Sequence, residues 1–346
     1  MKSRIAWIDV AKGIGMILVM FAHVSLPVEL EKYIYSFHVP LFFFLSGYCL
    51  SVKKYNNFIG FLSAKCKSLL IPYMIFSIFN YTFYLLFNQY ANNVADNPII
   101  PLLGIFIGIR GAGWGIATAA LWFIQALFIC EIIMYFLIGF TKGNIRNFSI
   151  AIFIFSIIGY IYNTFIGIRL IWSIDVALVA IAFIGFGYIA KNSNMIDKID
   201  NYLYLIILMI INITIGLMNT KINMYWGRYG NHFMFYIAAI SGLLTVIIIS
   251  KKIDCSKILE FVGQNTFIYL GIHQYVIFSV LNRVISKVFS NSNDLTLIFI
   301  AFFYVIFTLI VLYPVIKFLN RYCPFIIGKK RNNSIILQEI KGNPVT

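Results

Sequence analysis

Apolar runs of eighteen residues or more, set at near-regular intervals along the chain, constrain the fold more than any other feature. A hydrocarbon layer offers no water to backbone N–H and C=O groups, so a run of that length reads as a membrane-crossing helix. The runs predict ten spans, at 5–25, 34–51, 69–88, 119–140, 148–165, 170–190, 202–219, 232–250, 264–284 and 295–317. Composition agrees: 61% of residues are apolar and 11% charged, against roughly 45–50% and about 25% in soluble domains. The expected fold is therefore all-α, a polytopic transmembrane bundle of about ten spans with no soluble domain. One transmembrane domain is expected over 1–330, followed by a cytoplasmic tail over 331–346. Segment 99–109 is too short to cross and reads as re-entrant or interfacial. Lys2 and Arg4 before an apolar run resemble a signal peptide, but Asp9 and Lys12 interrupt the run and no small-x-small site follows, so it reads as a retained first span.

The net charge of +15 points to basic loops that orient a membrane protein, and a nucleic-acid partner is not expected. With the N-terminus inside, 19 Lys and Arg fall at the inner ends and 7 at the outer, with Lys12 in the membrane. Lys53, Lys54, Lys65 and Lys67 belong to the first inner loop on this reading, and Arg110 and Arg169 to outer loops. Both termini are then cytoplasmic, and the location is the plasma membrane. Cys49, Cys66, Cys255 and Cys323 lie at or inside the cytoplasmic face and Cys130 lies mid-span, so no disulfide is expected.

The first span carries chemistry. Asp9, Lys12 and His23 interrupt it, and ionisable groups inside a span cost roughly 2.5–3.5 kcal/mol each on insertion scales, so they commonly line a pathway or a site. Lys12 and His23 are eleven positions apart and fall within ~20° of each other on one helix face, with Asp9 within ~60° of both. His23 ends this span and His38 opens the next from the same side, so the two are expected to be close. His232 reads as an interfacial residue, and His273 lies about halfway along the ninth span. A metal site would need ligands at i,i+4 or Cys clusters, and none is present. A His that takes a proton from a hydroxyl is the simpler reading, since the imidazole titrates near neutrality. Glu131, at mid-depth, orients a His, binds substrate or pairs with a neighbouring helix. Asp175, near the outer surface, reads as solvated. Asn80 and Gln125 are candidate helix–helix hydrogen-bonding groups. The Ser46-Gly47 pair lets another backbone come close. The Gly-rich stretch Gly111-Ala112-Gly113-Trp114-Gly115 reads as a flexible outer loop near a substrate.

Four segments resemble the acyltransferase-3 family of integral membrane O-acyltransferases, which modify bacterial surface glycans. They are Ile8-Asp9-Val10-Ala11-Lys12-Gly13 with His23-Val24 downstream; Phe37-His38-Val39-Pro40-Leu41-Phe42-Phe43-Phe44-Leu45-Ser46-Gly47-Tyr48; Leu121-Trp122-Phe123-Ile124-Gln125-Ala126-Leu127-Phe128; and Tyr269-Leu270-Gly271-Ile272-His273. Family members more often carry Arg where Lys12 stands. The resemblance implies transfer of an acyl group, usually acetyl, from an acyl-CoA donor to a hydroxyl, in the bacterial inner membrane. Acetyl-CoA is then a substrate and no bound cofactor is expected. The implied partners are acyl-CoA, a glycan or glycolipid acceptor and the lipid bilayer. On this reading His23, Glu131 and His273 are the candidate catalytic residues. Asp9, Lys12, Lys65 and Lys67 are candidates for donor binding, and His38, Ser46, Trp122 and Gln125 for substrate binding. His23 acts as a general base or as an acyl-carrying relay. A transporter or flippase of a lipid-linked sugar is the alternative from another class, since polar helix stripes suit it as well.

Overall fold

A computed structural model describes residues 5–87, 97–111, 113–253, 255–285 and 293–329. The predicted tail over 331–346 and the basic residues Lys2, Arg4, Lys287, Lys330, Arg331 and Lys341 lie outside the described residues. Helices account for most of the rest, and the described residues contain no strand beyond one isolated bridge between Asn223 and Arg228.

In chain order the main helices are α1 (Ala6–Ala22), α2 (Val28–Tyr35), α3 (His38–Cys49), α4 (Phe58–Phe87), α5 (Ile99–Ile107), α6 (Ala119–Phe140) and α7 (Ile145–Ile166). They continue with α8 (Ile171–Asn192), α9 (Tyr202–Met218), α10 (His232–Ile253), α11 (Lys257–Gln264), α12 (Thr266–Ile285) and α13 (Asp294–Tyr322). Among the described residues, seven of these, α4, α6, α7, α8, α10, α12 and α13, are long and apolar enough to cross a membrane by length and composition. The other three predicted spans are shorter. α1 and α9 have 17 residues each, and the span predicted at 34–51 is broken.

The break has a local cause. Pro40 cannot donate to the carbonyl four residues back, so a helix running through it from Tyr33 would lose a bond. The chain ends α2 at Tyr35, leaves helical geometry at Phe37 (φ −141°, ψ −17°) and restarts at His38. Pro40 then falls in a first turn, where no N–H is needed. The third predicted span is corrected the other way. α4 begins at Phe58, because the Asn57 side chain accepts from Gly60 N at 2.8 Å and caps it. Lys65 and Lys67 therefore sit on a helix, at and inside a π-helical turn over Cys66–Leu70, rather than in a loop. The nine residues of α5 are short, as segment 99–109 suggested.

The apolar core has two main parts. One gathers Leu41, Phe43, Phe44, Met134, Ile181, Phe183 and Leu243 from α3, α6, α8 and α10. The other gathers Met16, Met20, Tyr73, Ile268, Phe278, Tyr304 and Leu312 from α1, α4, α12 and α13. Inside the first part α3 and α8 touch backbone to backbone, since a Cβ on Gly47 would collide with the Ile184 carbonyl. Close approach through a small residue is how helices associate where solvent gives no hydrophobic drive. A cavity lies where the two parts meet.

Candidate active site

The cavity encloses about 750 Å³. On α1 its wall is Lys12, Met16, Val19 and His23, spaced i, i+4, i+7 and i+11, which is one helical face. α3 contributes His38, Phe42, Leu45, Ser46 and Cys49, α6 contributes Trp122, and α12 contributes Leu270 and Gln274. Lys12 and His23 are separated by about 16 Å along the helix, so the cavity has a Lys12 end and a His23 end.

His23 is the C-cap of α1. Its Nδ1 lies 2.8 Å from the Val19 carbonyl and 3.2 Å from His273 Nε2. A carbonyl only accepts, so the His23 Nδ1 carries the hydrogen, and in the neutral ring Nε2 is left with a bare lone pair. His273 obeys the same logic. Its Nδ1 donates to the Tyr269 carbonyl at 2.7 Å, which makes its Nε2 an acceptor for the hydrogen on His23. His273 is fully buried and does not line the cavity; it sits behind His23 and orients it. It also opens the π-helical stretch His273–Phe278, a widening of the helix common at functional sites. On the other wall His38 Nδ1 donates to the Ile34 carbonyl at 2.7 Å. Tyr35 Oη donates to the Ala22 carbonyl at 2.8 Å and ties α2 to the end of α1 beside His23. His23 closes a helix, where the backbone dipole stabilises positive charge by about 0.3–2 kcal/mol, whereas His38 opens one, where the dipole opposes it.

At the other end Lys12 lines the cavity with no ion-pair or hydrogen-bond partner among the described residues. Ser46 donates to Glu131 Oε1 at 2.9 Å, and Lys65 Nζ holds Glu131 Oε2 at 2.8 Å. Several sequence-derived candidates stand elsewhere. Asp9 is buried against α11, where the Gln264 amide donates to its Oδ2 at 3.1 Å. Its ~60° offset from Lys12 is enough to turn it off the wall. Lys65 is engaged by Glu131, and neither lines the cavity. Lys67 is exposed and away from it. Gln125 is buried and donates to Tyr73 Oη, which donates to the Ile105 carbonyl, both at 2.8 Å; this chain fastens α5 to the bundle and does not reach the cavity. Asn80 likewise donates to the Ala117 carbonyl at 3.3 Å. His232 packs edge-on against Tyr160 and tilted against Tyr229, outside the cavity.

The His23 end is roofed by Gly111, Gly113 and Gly115 and by Asn223–Trp226. The sequence showed no sign of what holds this roof. Arg110 and Asp175 are each 2% exposed and pair through both guanidinium Nη atoms. Arg110 Nε also donates to the Tyr225 carbonyl at 2.8 Å, and Tyr225 Oη accepts from Gly111 N at 2.8 Å. Asp175 is thus the buried half of an ion pair and not a solvated residue, which corrects the sequence reading. Arg169 bonds the Arg110 carbonyl at 2.9 Å and lies over the Trp226 ring. Gly111 has φ +79°, and a Cβ there would strike the Arg169 guanidinium. Gly111, Gly113 and Gly115 belong to a bonded roof and not to a free loop.

The described residues thus form a membrane-type helical bundle with a His-lined internal cavity. The Acyltransferase domain model of the acyltransferase-3 family matches residues 5–317, nearly the whole chain. The chain belongs to that family, and the protein is a membrane acyltransferase. Comparison with curated proteins and with solved structures finds no match.

Proposed function

We propose that the protein moves an acyl group, acetyl in the simplest case, from cytoplasmic acyl-CoA to a hydroxyl of a cell-surface polysaccharide or its lipid-linked precursor. It would act in the bacterial inner membrane with both termini cytoplasmic. The observation that carries this reading is the bare Nε2 of His23 on the wall of a cavity that also holds Lys12, a cation with no partner among the described residues. Acyl-CoA is polyanionic, so its phosphates belong at the Lys12 end. The thin pantetheine arm then runs up the α1 face past Met16 and Val19. The acceptor enters beneath the roof, against Trp122 and Tyr225. His23 Nε2 takes the hydroxyl proton as the oxygen attacks the thioester carbonyl, and the proton passes to the departing thiolate. The products are an ester and free CoA. His273 holds the imidazole with Nε2 forward, and the helix C-terminus supports the charge it gains. The same lone pair would serve an acyl-His relay.

The test compares surface glycans by mass from cells carrying wild type or His23→Ala, with membrane abundance checked by blot. Loss of a positioned base lowers a rate by about 10²–10⁴, so acylation should vanish at normal abundance. Full acylation from His23→Ala would refute the role of His23 and favour a transporter.

A further inference from the structure

The cavity face of α12 carries four polar side chains that the mechanism above does not use, Thr266, Gln274, Tyr275 and Ser279, and two of these adjoin His273. Phe267, Leu270 and Gln274 line the cavity at i, i+3 and i+7, so Gln274 continues one stripe of the helix. It directly follows His273, whose Nε2 is 3.2 Å from His23. Tyr275, next in the chain, lines the cavity too and is only 9% exposed. Both keep a buried polar atom with no hydrogen-bond partner, Gln274 Oε1 and Tyr275 Oη. Such atoms are uncommon, because leaving one unmet costs about 1–3 kcal/mol. Two in succession, on the wall of a cavity and inside the π-helical turn that presents His273, form a pattern that packing does not require.

The reaction needs such groups. When the acceptor oxygen bonds to the thioester carbon, the carbonyl π pair moves onto oxygen and an oxyanion forms. Collapse restores the C=O, breaks the C–S bond and returns the His23 proton to sulfur. The oxyanion must meet hydrogen-bond donors at that moment. Lys12 lies about 16 Å away along α1, and the His23 Nδ1 hydrogen is already shared. A phenol donates through Oη and a carboxamide through Nε2, while the orphan Gln274 Oε1 itself accepts. We propose that Gln274 and Tyr275 form the carbonyl subsite, donating to the thioester oxygen as it becomes an oxyanion. This rests on the acyl-transfer reading and adds the residues that stabilise its transition state. It holds equally if His23 Nε2 is the attacking atom, since the same oxyanion forms.

The experiment uses inside-out membrane vesicles from cells making the protein, supplied with radiolabelled acetyl-CoA over a range of concentrations. Label entering the glycan fraction is measured. Removing one preorganised donor lowers the maximal rate by about 10²–10³. Tyr275→Phe, which deletes one oxygen, and Gln274→Met should each lower the plateau to that degree, with half-saturating acetyl-CoA changed less than about threefold. Gln274→Glu keeps the size and places an anion at the oxyanion; it should be at least as slow as Gln274→Met and guards against a packing defect in the latter. A wild-type plateau in Tyr275→Phe and Gln274→Glu, or a loss confined to half-saturation, would overturn the proposal while leaving acyl transfer standing. Wild-type vesicles that incorporate no label would overturn the acyl-transfer reading itself, and this subsite with it.

Discussion

The two ends of the cavity treat charge in opposite ways. At the His23 end the cations of the roof, Arg110 and Arg169, are both engaged: Arg110 is buried against Asp175, and Arg169 is laid over Trp226. At the Lys12 end the cavity wall keeps a cation without a partner among the described residues, while Lys65 nearby is held by Glu131. The difference separates structure from function. A buried charge that is fully paired and hydrogen-bonded holds a shape, and a roof needs that. A charge left unpaired on a cavity wall is costly unless an anion visits it. The same residue type does both jobs here, and only its partners distinguish them.

That contrast can be broken from either side. The largest effect is expected at the roof. Removing one member of a buried ion pair leaves the other uncompensated, at about 3–5 kcal/mol. Asp175→Ala should therefore lower stability by that amount, read as unfolding in mixed micelles. An unchanged transition would mean that the pair does not hold the roof. Next comes Lys12→Ala. Loss of a charged hydrogen bond to phosphate costs about 1.5–3 kcal/mol, so half-saturating acetyl-CoA should rise by roughly 10–150-fold with stability unaffected. Lys12→Arg should retain most of the affinity; equal damage from both would make Lys12 an anchor of the helix and not a donor contact. The smallest effect is expected from Lys67→Ala. This exposed residue stands off the cavity wall, and acetyl-CoA dependence should stay within about twofold, surface charges away from such features being worth little. A loss as large as that of Lys12→Ala would erase the distinction between wall and surface.

Much of this was legible in the sequence. Apolar run length gave the all-helical bundle, and the eleven-residue spacing of Lys12 and His23 put both on the cavity wall with Met16 and Val19 between. What was hidden depended on partners far apart in the chain. The rotation of Asp9 toward Gln264, 255 residues away, follows from how α1 meets α11. Arg110 looked like an outer-loop charge and Asp175 like a wetted one until folding brought them together across 65 positions. The expected kinship of His23 and His38 held in part, since both line the cavity, but the ring that touches His23 is His273, 250 residues on. The break at Ser36–Phe37 was closer to hand: Pro40 costs a helix least in a first turn, and that placement requires a helix to begin just before it.

The central claim is that one cavity is served from two sides of the membrane, with the donor at the Lys12 end and the acceptor at the roof. Two positions on its wall test this directly. Cys49 is exposed and lines the Lys12 end, and Asn223 lines the roof. Single-cysteine versions would keep Cys49 alone or carry Asn223→Cys alone, the other cysteines being replaced by Ser. Each would be treated with a membrane-impermeant thiol reagent in intact cells and in inside-out vesicles. The account predicts that Cys49 reacts only in the vesicles and is protected by acetyl-CoA, while Asn223→Cys reacts only in intact cells. Labelling of both from one side, or of Cys49 without protection by acetyl-CoA, would contradict it.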